Sequence, residues 1–284
     1  MELKVTQSLV QDGVALVRLS RPDRGNSWTH RMNEEYRWLM KAHDENPEVR
    51  VIVVTGDGRQ FCVGADFKAL DHHGASDKNY VESAKTKTEE MAQPGYGVNE
   101  EFDHDLIWHW GLSKPVIAAV NGACAGIAVA LAAFCDLRYA AAGAKFTTST
   151  PRLGLPSEYG LSWVLPRIIG LTQAADVLLT GRIVKAEEMK ELGFLNAVFP
   201  AEEFEARVLA LAKDMAASVS PIAVKAAKRQ LYAEQMDLRP GQSIERSKVL
   251  TGRLLKHPDF REGAAAAQQK RAPTFNPLSD FDLS

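Results

Sequence analysis

Two short stretches of this sequence are built to present backbone amides rather than side chains. One is Phe61-Cys62-Val63-Gly64-Ala65-Asp66; the other is Asn121-Gly122-Ala123-Cys124-Ala125-Gly126-Ile127. Glycine and small residues let a main chain come close to a ligand. Two N–H groups converging on one point form an oxyanion hole, suited to a thioester or ester carbonyl that becomes an enolate. A helix opening at Ile127 would add its own unpaired amides there. Taken singly, each stretch also suits tight helix–sheet packing, so neither alone assigns chemistry. No metal site is expected. Cys62, Cys124 and Cys135 lie in apolar stretches without ligand spacing and read as buried free thiols. Such cysteine usage points to a reducing cytoplasm.

The second stretch lies inside Val116–Cys135, twenty positions with one polar side chain, Asn121. The run has the length of a membrane span. Yet eight of its residues are alanine, and Asn121-Gly122 is a turn dipeptide. It reads as a strand over Val116–Val120 entered after Pro115, a turn, and a buried helix over Ile127–Phe134. Upstream, Gly13–Ser20 reads as a strand and His30–His43 as a helix with Met32, Tyr36, Leu39 and Met40 on one face. Val51–Thr55 is a continuous apolar strand closed by Gly56-Asp57-Gly58. Apolar strands separated by helices call for a sheet covered on both faces.

Residues 71–113 interrupt this pattern with a long polar segment of mixed charge, either a surface excursion or a lid. A helix is expected there over Asn79–Met91 and a loop over Gln93–Asn99. From Lys145 the chain turns helical. Helices are expected over Thr172–Thr180 with Thr172 as cap, Ala186–Leu192 stopped by Gly193, and Ala201–Ser218. Three more follow: Pro221–Gln235 capped by Ser220, Ser243–Lys256, and Asp259–Lys270 with Asp259 and Glu262 at capping-box spacing. The organisation is an α/β core over residues 1–200 and a helical region over residues 201–284.

At 284 residues the chain can bury a large core, and 45% hydrophobic with 25% charged residues is the balance of a globular protein in water. A net charge of −2 offers no attraction to nucleic acid or an anionic membrane, so neither is expected as a partner. Met1–Gln11 lacks the apolar core of a signal peptide.

Taken together and in order, the motifs make the chain resemble the crotonase superfamily, the enoyl-CoA hydratases and isomerases. The resemblance runs through Leu19-Ser20-Arg21-Pro22 with Asn26, Phe61–Asp66, Pro115–Asp136 and Leu153-Gly154-Leu155-Pro156. It continues through Pro166-Arg167-Ile168-Ile169-Gly170, Leu179-Thr180-Gly181-Arg182, Leu192-Gly193-Phe194 with Asn196 and Val198, and Lys270-Arg271-Ala272-Pro273-Thr274-Phe275. It implies an α/β fold, a crotonase-like spiral of ββα repeats, whose C-terminal helical region mediates assembly as a homotrimer or dimer of trimers. It also implies an acyl-CoA thioester substrate, coenzyme A entering as part of it and no separate cofactor. The family's two oxyanion donors fall on the amides of Ala65 and Ile127. Val63, Ala65, Asp66 and Ile127 are then expected around the bound thioester, Asp66 also reading as the cap of the helix after it. Arg24 is either a contact for the CoA phosphates or adenine, or a plain surface arginine. Lys270 and Arg271 would reach a CoA phosphate, across a subunit boundary.

Side-chain chemistry is where the sequence departs from its family. Hydratases of the family use two glutamates, a base for water and an acid for the α-carbon. Those positions fall on Ala130 and Thr150. Glu158 falls where family isomerases place a catalytic carboxylate. Moving a double bond needs one base that takes a proton from C2 and returns it at C4, and an apolar pocket would raise its pKa usefully. Read without the family, Glu158 is a solvated loop residue or a cap for the helix after Gly160. A second acid would have to come from the long segment, from His72, His73, Glu100, Glu101, His104, Asp105 or His109. Isomerisation is therefore favoured over hydration. The alternatives are a hydratase pairing Glu158 with an acid from residues 71–113, and a non-catalytic acyl-CoA-binding homologue. Ile127, where many relatives carry glycine, adds bulk to the acyl pocket.

Overall fold

Asp12-Gly13 turns the first two strands back on each other, with φ of 53° and 76°, the left-handed pair that a two-residue hairpin turn needs. The computed structural model describes residues 1–66, 102, 104–236 and 240–278. β1 (Thr6–Gln11) and β2 (Val14–Leu19) form this antiparallel hairpin. β3 (Val51–Gly56) and β4 (Val116–Val120) extend the sheet in parallel. β5 (Cys124–Ala125) leaves it, and β6 (Leu137–Ala141) rejoins beside β4. β7 (Lys145–Thr147) and β8 (Val184–Lys185) pair with β5 in a second, three-stranded sheet, while β9 (Ala197–Phe199) closes the large one. Two single bridges, Trp28 with Ala65 and Cys62 with Cys124, widen the second layer.

The helices are α1 (His30–Glu45), α2 (Trp108–Gly111), α3 (Ile127–Phe134), α4 (Leu161–Ile169) and α5 (Leu171–Thr180). After them come α6 (Ala186–Glu191), α7 (Phe204–Ser218), α8 (Pro221–Glu234), α9 (Pro240–Leu254) and α10 (Pro258–Gln269). The chain visits the large sheet and then the second layer four times: β2 then Trp28, β3 then Cys62–Ala65, β4 then β5, β6 then β7. A helix, α1 or α3, follows the first and third visits. This is the expected spiral of ββα turns.

Alternate residues of the large sheet serve opposite faces. Ala15, Val17, Ile52, Val54, Ala118 and Val120 enter the main core with Met32, Tyr36, Leu39 and Met40 of α1. Val14, Leu16, Val51, Val53, Ile117 and Ala119 pack on Phe204, Val208, Ala212 and Ala216 of α7. Both faces are covered, as continuous apolar strands require. All eight residues of α3 are buried. Among the described residues, no helix is long and apolar enough to cross a membrane.

Several local expectations shift. Asn121-Gly122 is a clamp between loops rather than a tight turn. Asn121 Nδ2 donates to the carbonyls of Gly56 (3.1 Å) and Gly58 (2.9 Å), and a Cβ on Gly122 would lie 2.0 Å from the Arg59 carbonyl oxygen. Thr172 does not cap α5, which starts at Leu171 because Gly170 alone separates it from α4. A turn over 201–203 delays α7 to Phe204. α9 opens earlier than expected, at Pro240. α10 is capped by His257, whose ring accepts from the Asp259 amide at 3.2 Å; Glu262 binds Arg271 and the Thr274 amide instead of closing a capping box. Ser220 caps α8 as expected, accepting from the Ala223 amide. The helix expected over Asn79–Met91 and the loop over Gln93–Asn99 lie outside the described residues.

Candidate active site

The two amide-presenting stretches run side by side. The Cys62 amide donates to Ala123 O and the Ala125 amide to Cys62 O, both at 3.0 Å, which sets them parallel with Cys62 opposite Cys124. Beyond this bridge Gly64, one residue before Ala65, lies against Ala125 and Gly126, and Gly126 is one residue before Ile127. The approach is close enough to demand glycine. A Cβ on Gly64 would lie 3.2 Å from Ala125 O, and one on Gly126 would lie 3.8 Å from Gly64 Cα. Both glycines also have positive φ, 98° and 54°, which side-chain-bearing residues rarely adopt.

Each donor's direction follows from the carbonyl of its own peptide unit, because a trans peptide points N–H and C=O opposite ways. The Gly64 carbonyl accepts from the Trp28 amide at 2.7 Å, so the Ala65 N–H points away from Trp28. The Gly126 carbonyl accepts from the Val129 amide at 3.0 Å inside α3, so the Ile127 N–H points out of the helix start. Neither amide donates to any acceptor among the described residues. Gly126 brings no side chain to cap α3, which leaves the positive end of the helix dipole at Ile127. Ile127 is buried and Ala65 half-buried.

Glu158 lies in the loop before α4, two residues ahead of Gly160. A Cβ on Gly160 would touch the Phe134 ring at 3.4 Å, so this loop abuts the last residue of α3 while the amides stand at its first. The Glu158 side chain is half-buried, has no hydrogen-bond or ion-pair partner among the described residues, and does not cap α4. Burial raises its carboxyl above the ordinary glutamate value of 4.5. Ala130, one helical turn after Ile127, is fully buried. Thr150 is buried three residues beyond Thr147, whose carbonyl takes the Gly126 amide at 3.0 Å. Neither position carries a carboxylate.

Around the first donor the chain is tied tightly. Asn26, wholly buried, accepts from the Arg21 amide and donates to the carbonyls of Asp57 (2.9 Å) and Gln60 (2.7 Å). Val63 is exposed and leans over Gly25, where a Cβ would meet its Cγ1 at 2.8 Å. That brings Val63 beside Arg24, which is exposed and makes no ion pair among the described residues. The Asp66 carboxylate accepts from Arg21 Nη2 (3.2 Å) and Ser27 Oγ (3.1 Å). The helix it was expected to cap lies outside the described residues.

Lys270 is not brought to this site within one chain. It closes α10, and the tail beyond it runs past Arg50, whose Nη2 donates to Phe275 O at 2.5 Å at the start of β3. The amides instead follow the C-terminal ends of β3 and β4. Arg271 is committed to Glu262 in a bidentate pair at 2.6 and 2.9 Å. His104 and Asp105 are exposed. His109 is wholly buried, with Nδ1 donating to Leu106 O at 2.5 Å and Nε2 accepting from Tyr36 Oη at 2.7 Å. Burial pushes its pKa down to about 3, so it stays neutral and offers no proton. His72, His73, Glu100 and Glu101 lie outside the described residues. All three cysteines are buried and free, and burial pushes the Cys62 thiol up to about 12.

Residues 10–277 match the model of the enoyl-CoA hydratase/isomerase family. The chain belongs to this family. Members similar to it include the "Probable enoyl-CoA hydratase EchA12" of Mycobacterium tuberculosis, 34% identical over 92% of this chain and 89% of that protein. The 1,2-epoxyphenylacetyl-CoA isomerase of Escherichia coli is 31% identical over 94% of this chain and 97% of its own length. An enoyl-CoA hydratase from Polaromonas sp. JS666 superimposes with a TM-score of 0.83 at 28% identity, covering 95% of this chain and 99% of that one. The chain is thus a hydratase/isomerase-family enzyme.

Both glycine-rich stretches stand out in the sequence, and Arg21 stands in the motif after β2, but the hold of Arg21, Ser27 and Trp28 on the first stretch is visible only in the structure. The available signal was an arginine at the exit of β2, followed by Pro22 and Gly25 and so held in a tight loop.

Proposed function

We propose that this enzyme shifts a double bond in an acyl-CoA thioester, with Glu158 as its single acid/base and the amides of Ala65 and Ile127 as oxyanion donors. The observation that carries the reading is the state of Glu158: half-buried, unpartnered among the described residues and raised by desolvation. A carboxylate raised in this way is a stronger proton acceptor than an ordinary exposed glutamate and can hand the same proton back. It removes a proton from C2 of a 3-enoyl thioester, and the electron pair moves onto the thioester oxygen as a dienolate. The two amides stabilise that oxygen. Collapse forms the C2–C3 double bond, the former C3–C4 double bond takes the proton from Glu158 at C4, and the carboxylate is restored. The same proton leaves C2 and arrives at C4, so no second acid and no cofactor is called for.

Arg24 and Val63 are assigned to the CoA moiety, Val63 by its place over the Arg24 turn and Arg24 by its free charge. Lys270 is assigned there only from a neighbouring subunit. The helical region is assigned to assembly as a trimer or dimer of trimers, which the exposed Leu231, Ile244, Val249, Leu255 and Phe260 support. Free buried thiols fit a reducing compartment such as the cytoplasm.

Hydration is the second reading, favoured by the name of the 34%-identical relative. Incubating the purified protein with a 2-enoyl-CoA and a 3-enoyl-CoA, each followed by chromatography, separates the two. Conversion of the 3-enoyl substrate, lost by about 10²–10⁴-fold in Glu158→Gln, is expected. Hydration of the 2-enoyl substrate at a rate untouched by that substitution would overturn the role of Glu158. Binding without any product would make the chain a non-catalytic acyl-CoA-binding homologue.

A further inference from the structure

The Ala65 donor is the last link of a hydrogen-bonded chain that starts at a cation. Arg21 Nη1 donates to the Ser27 carbonyl at 2.8 Å. The same peptide unit carries the Trp28 N–H, which donates to the Gly64 carbonyl at 2.7 Å. That second peptide unit carries the Ala65 N–H. Every peptide here is trans, so C=O and N–H oppose each other and the groups line up head to tail. The order is guanidinium, Ser27–Trp28 peptide, Gly64–Ala65 peptide, then whatever the Ala65 N–H meets.

The guanidinium is held in place on three sides. Nη1 also donates to Ser27 Oγ at 3.0 Å, Nη2 pairs with Asp66 Oδ2 at 3.2 Å, and Ser27 Oγ donates to that same oxygen at 3.1 Å. The Arg21 and Asp66 side chains are only 21% and 19% exposed, so solvent screens them weakly. The Ile127 donor has no such origin, since its peptide carbonyl is engaged within α3 by Val129.

We infer that Arg21 is a positioning residue for the reaction, acting through two peptide units to aim and polarise the Ala65 N–H toward the thioester oxygen. The inference deepens the proposed function and rests on Ala65 being an oxyanion donor. A cation donating to one carbonyl draws electron density along its peptide and strengthens the N–H at the other end, and successive bonds reinforce one another. Such strengthening matters most where negative charge is greatest, in the enolate rather than in the bound thioester. Loss of Arg21 should therefore fall on kcat and spare KM. Asp66 holds the guanidinium and partly opposes its charge.

The test uses the full chain and butanoyl-CoA labelled with ¹³C at the thioester carbonyl, a saturated ligand with no double bond to move. Isotope-edited infrared difference spectroscopy reads the carbonyl stretch of the bound ligand. The wild-type band is expected below that of free butanoyl-CoA. Arg21→Gln should return it part-way, and Arg21→Lys should restore some of the displacement. Asp66→Asn keeps an acceptor for Arg21 and Ser27 but removes the opposing charge, so it should move the band further down. In turnover of a 3-enoyl-CoA, Arg21→Gln should lose about tenfold in kcat, a fraction of the effect of deleting an oxyanion donor, with KM little changed. A displaced wild-type band that Arg21→Gln leaves unmoved overturns the role of Arg21 and spares the oxyanion reading. A wild-type band at the free position overturns both. If Arg21→Gln fails to fold, Asp66→Asn decides alone, and a band unchanged or shifted upward overturns the inference.

Discussion

Glu158 couples reactivity to a stability cost at one residue. Its carboxyl is raised above 4.5 by burial and has no cation beside it among the described residues. As the base it must be ionised, so kcat/KM for a 3-enoyl-CoA should rise with pH along one ionisation above the ordinary glutamate range. A profile flat from pH 4 upward would contradict this. The same shift has a sign for folding. A raised folded-state pKa means the folded chain holds the proton more tightly than the unfolded chain, so stability falls as pH rises from about 4.5 through the folded value. Glu158→Gln should therefore melt above wild type at pH 7 by calorimetry, the gap closing in acid. Gly126 makes a second residue-scale case. With φ 54° and ψ −123° it occupies a conformation closed to residues with a Cβ. Gly126→Ala should cost about 1–3 kcal/mol in urea unfolding. It should also lower kcat by about 10²-fold through the Ile127 amide. Full activity in a stable Gly126→Ala protein would deny that amide its role.

Elements were legible where a local signal bounds them and displaced where a neighbour does. α3 runs over Ile127–Phe134 as its apolar composition and Gly126 suggest, and β4 begins right after Pro115. β1 was overlooked although Asp12-Gly13 is a hairpin signal, because its polar and apolar residues do not alternate with burial, Leu9 being exposed and Thr6 buried, and because it is held at its start by buried Glu35, which accepts from the Lys4 and Val5 amides at 2.9 Å. Nothing in the periodicity of residues 221–234 shows that α8 docks through a buried cation either. Lys228 Nζ donates to Asp136 Oδ2 at 2.8 Å and to Lys114 O at 2.9 Å, and is almost wholly covered. Lys228→Met should leave that carboxylate uncompensated and cost about 3–5 kcal/mol in chemical denaturation. A loss below 1 kcal/mol would mean α8 is held by its apolar face alone.

For the whole molecule, the assignment of the helical region to assembly predicts a mass of three or six copies by light scattering. Val249→Glu should reduce it to one, and a wild-type monomer would reject the assignment. The three strands β2, β3 and β4, the helices α1 and α3 and the family were readable because composition, proline and glycine placement and residue order are properties of neighbouring positions. The reactive geometry depends on partners far apart in the chain. Cys62 meets Cys124, Trp28 meets Ala65, and Arg21 meets Asp66 only once loops of tens of residues have closed. A backbone hydrogen bond carries no side-chain signature, so the sequence named which amides were available and not which way they point. Likewise the tail motif from Lys270 to Phe275 was plain to read, yet only the packing of Phe275 beside Arg50 put it at the far end of β3 from the amides. Residue types determined what chemistry was possible here; the register of two parallel segments and the planes of three peptides decided where it is aimed.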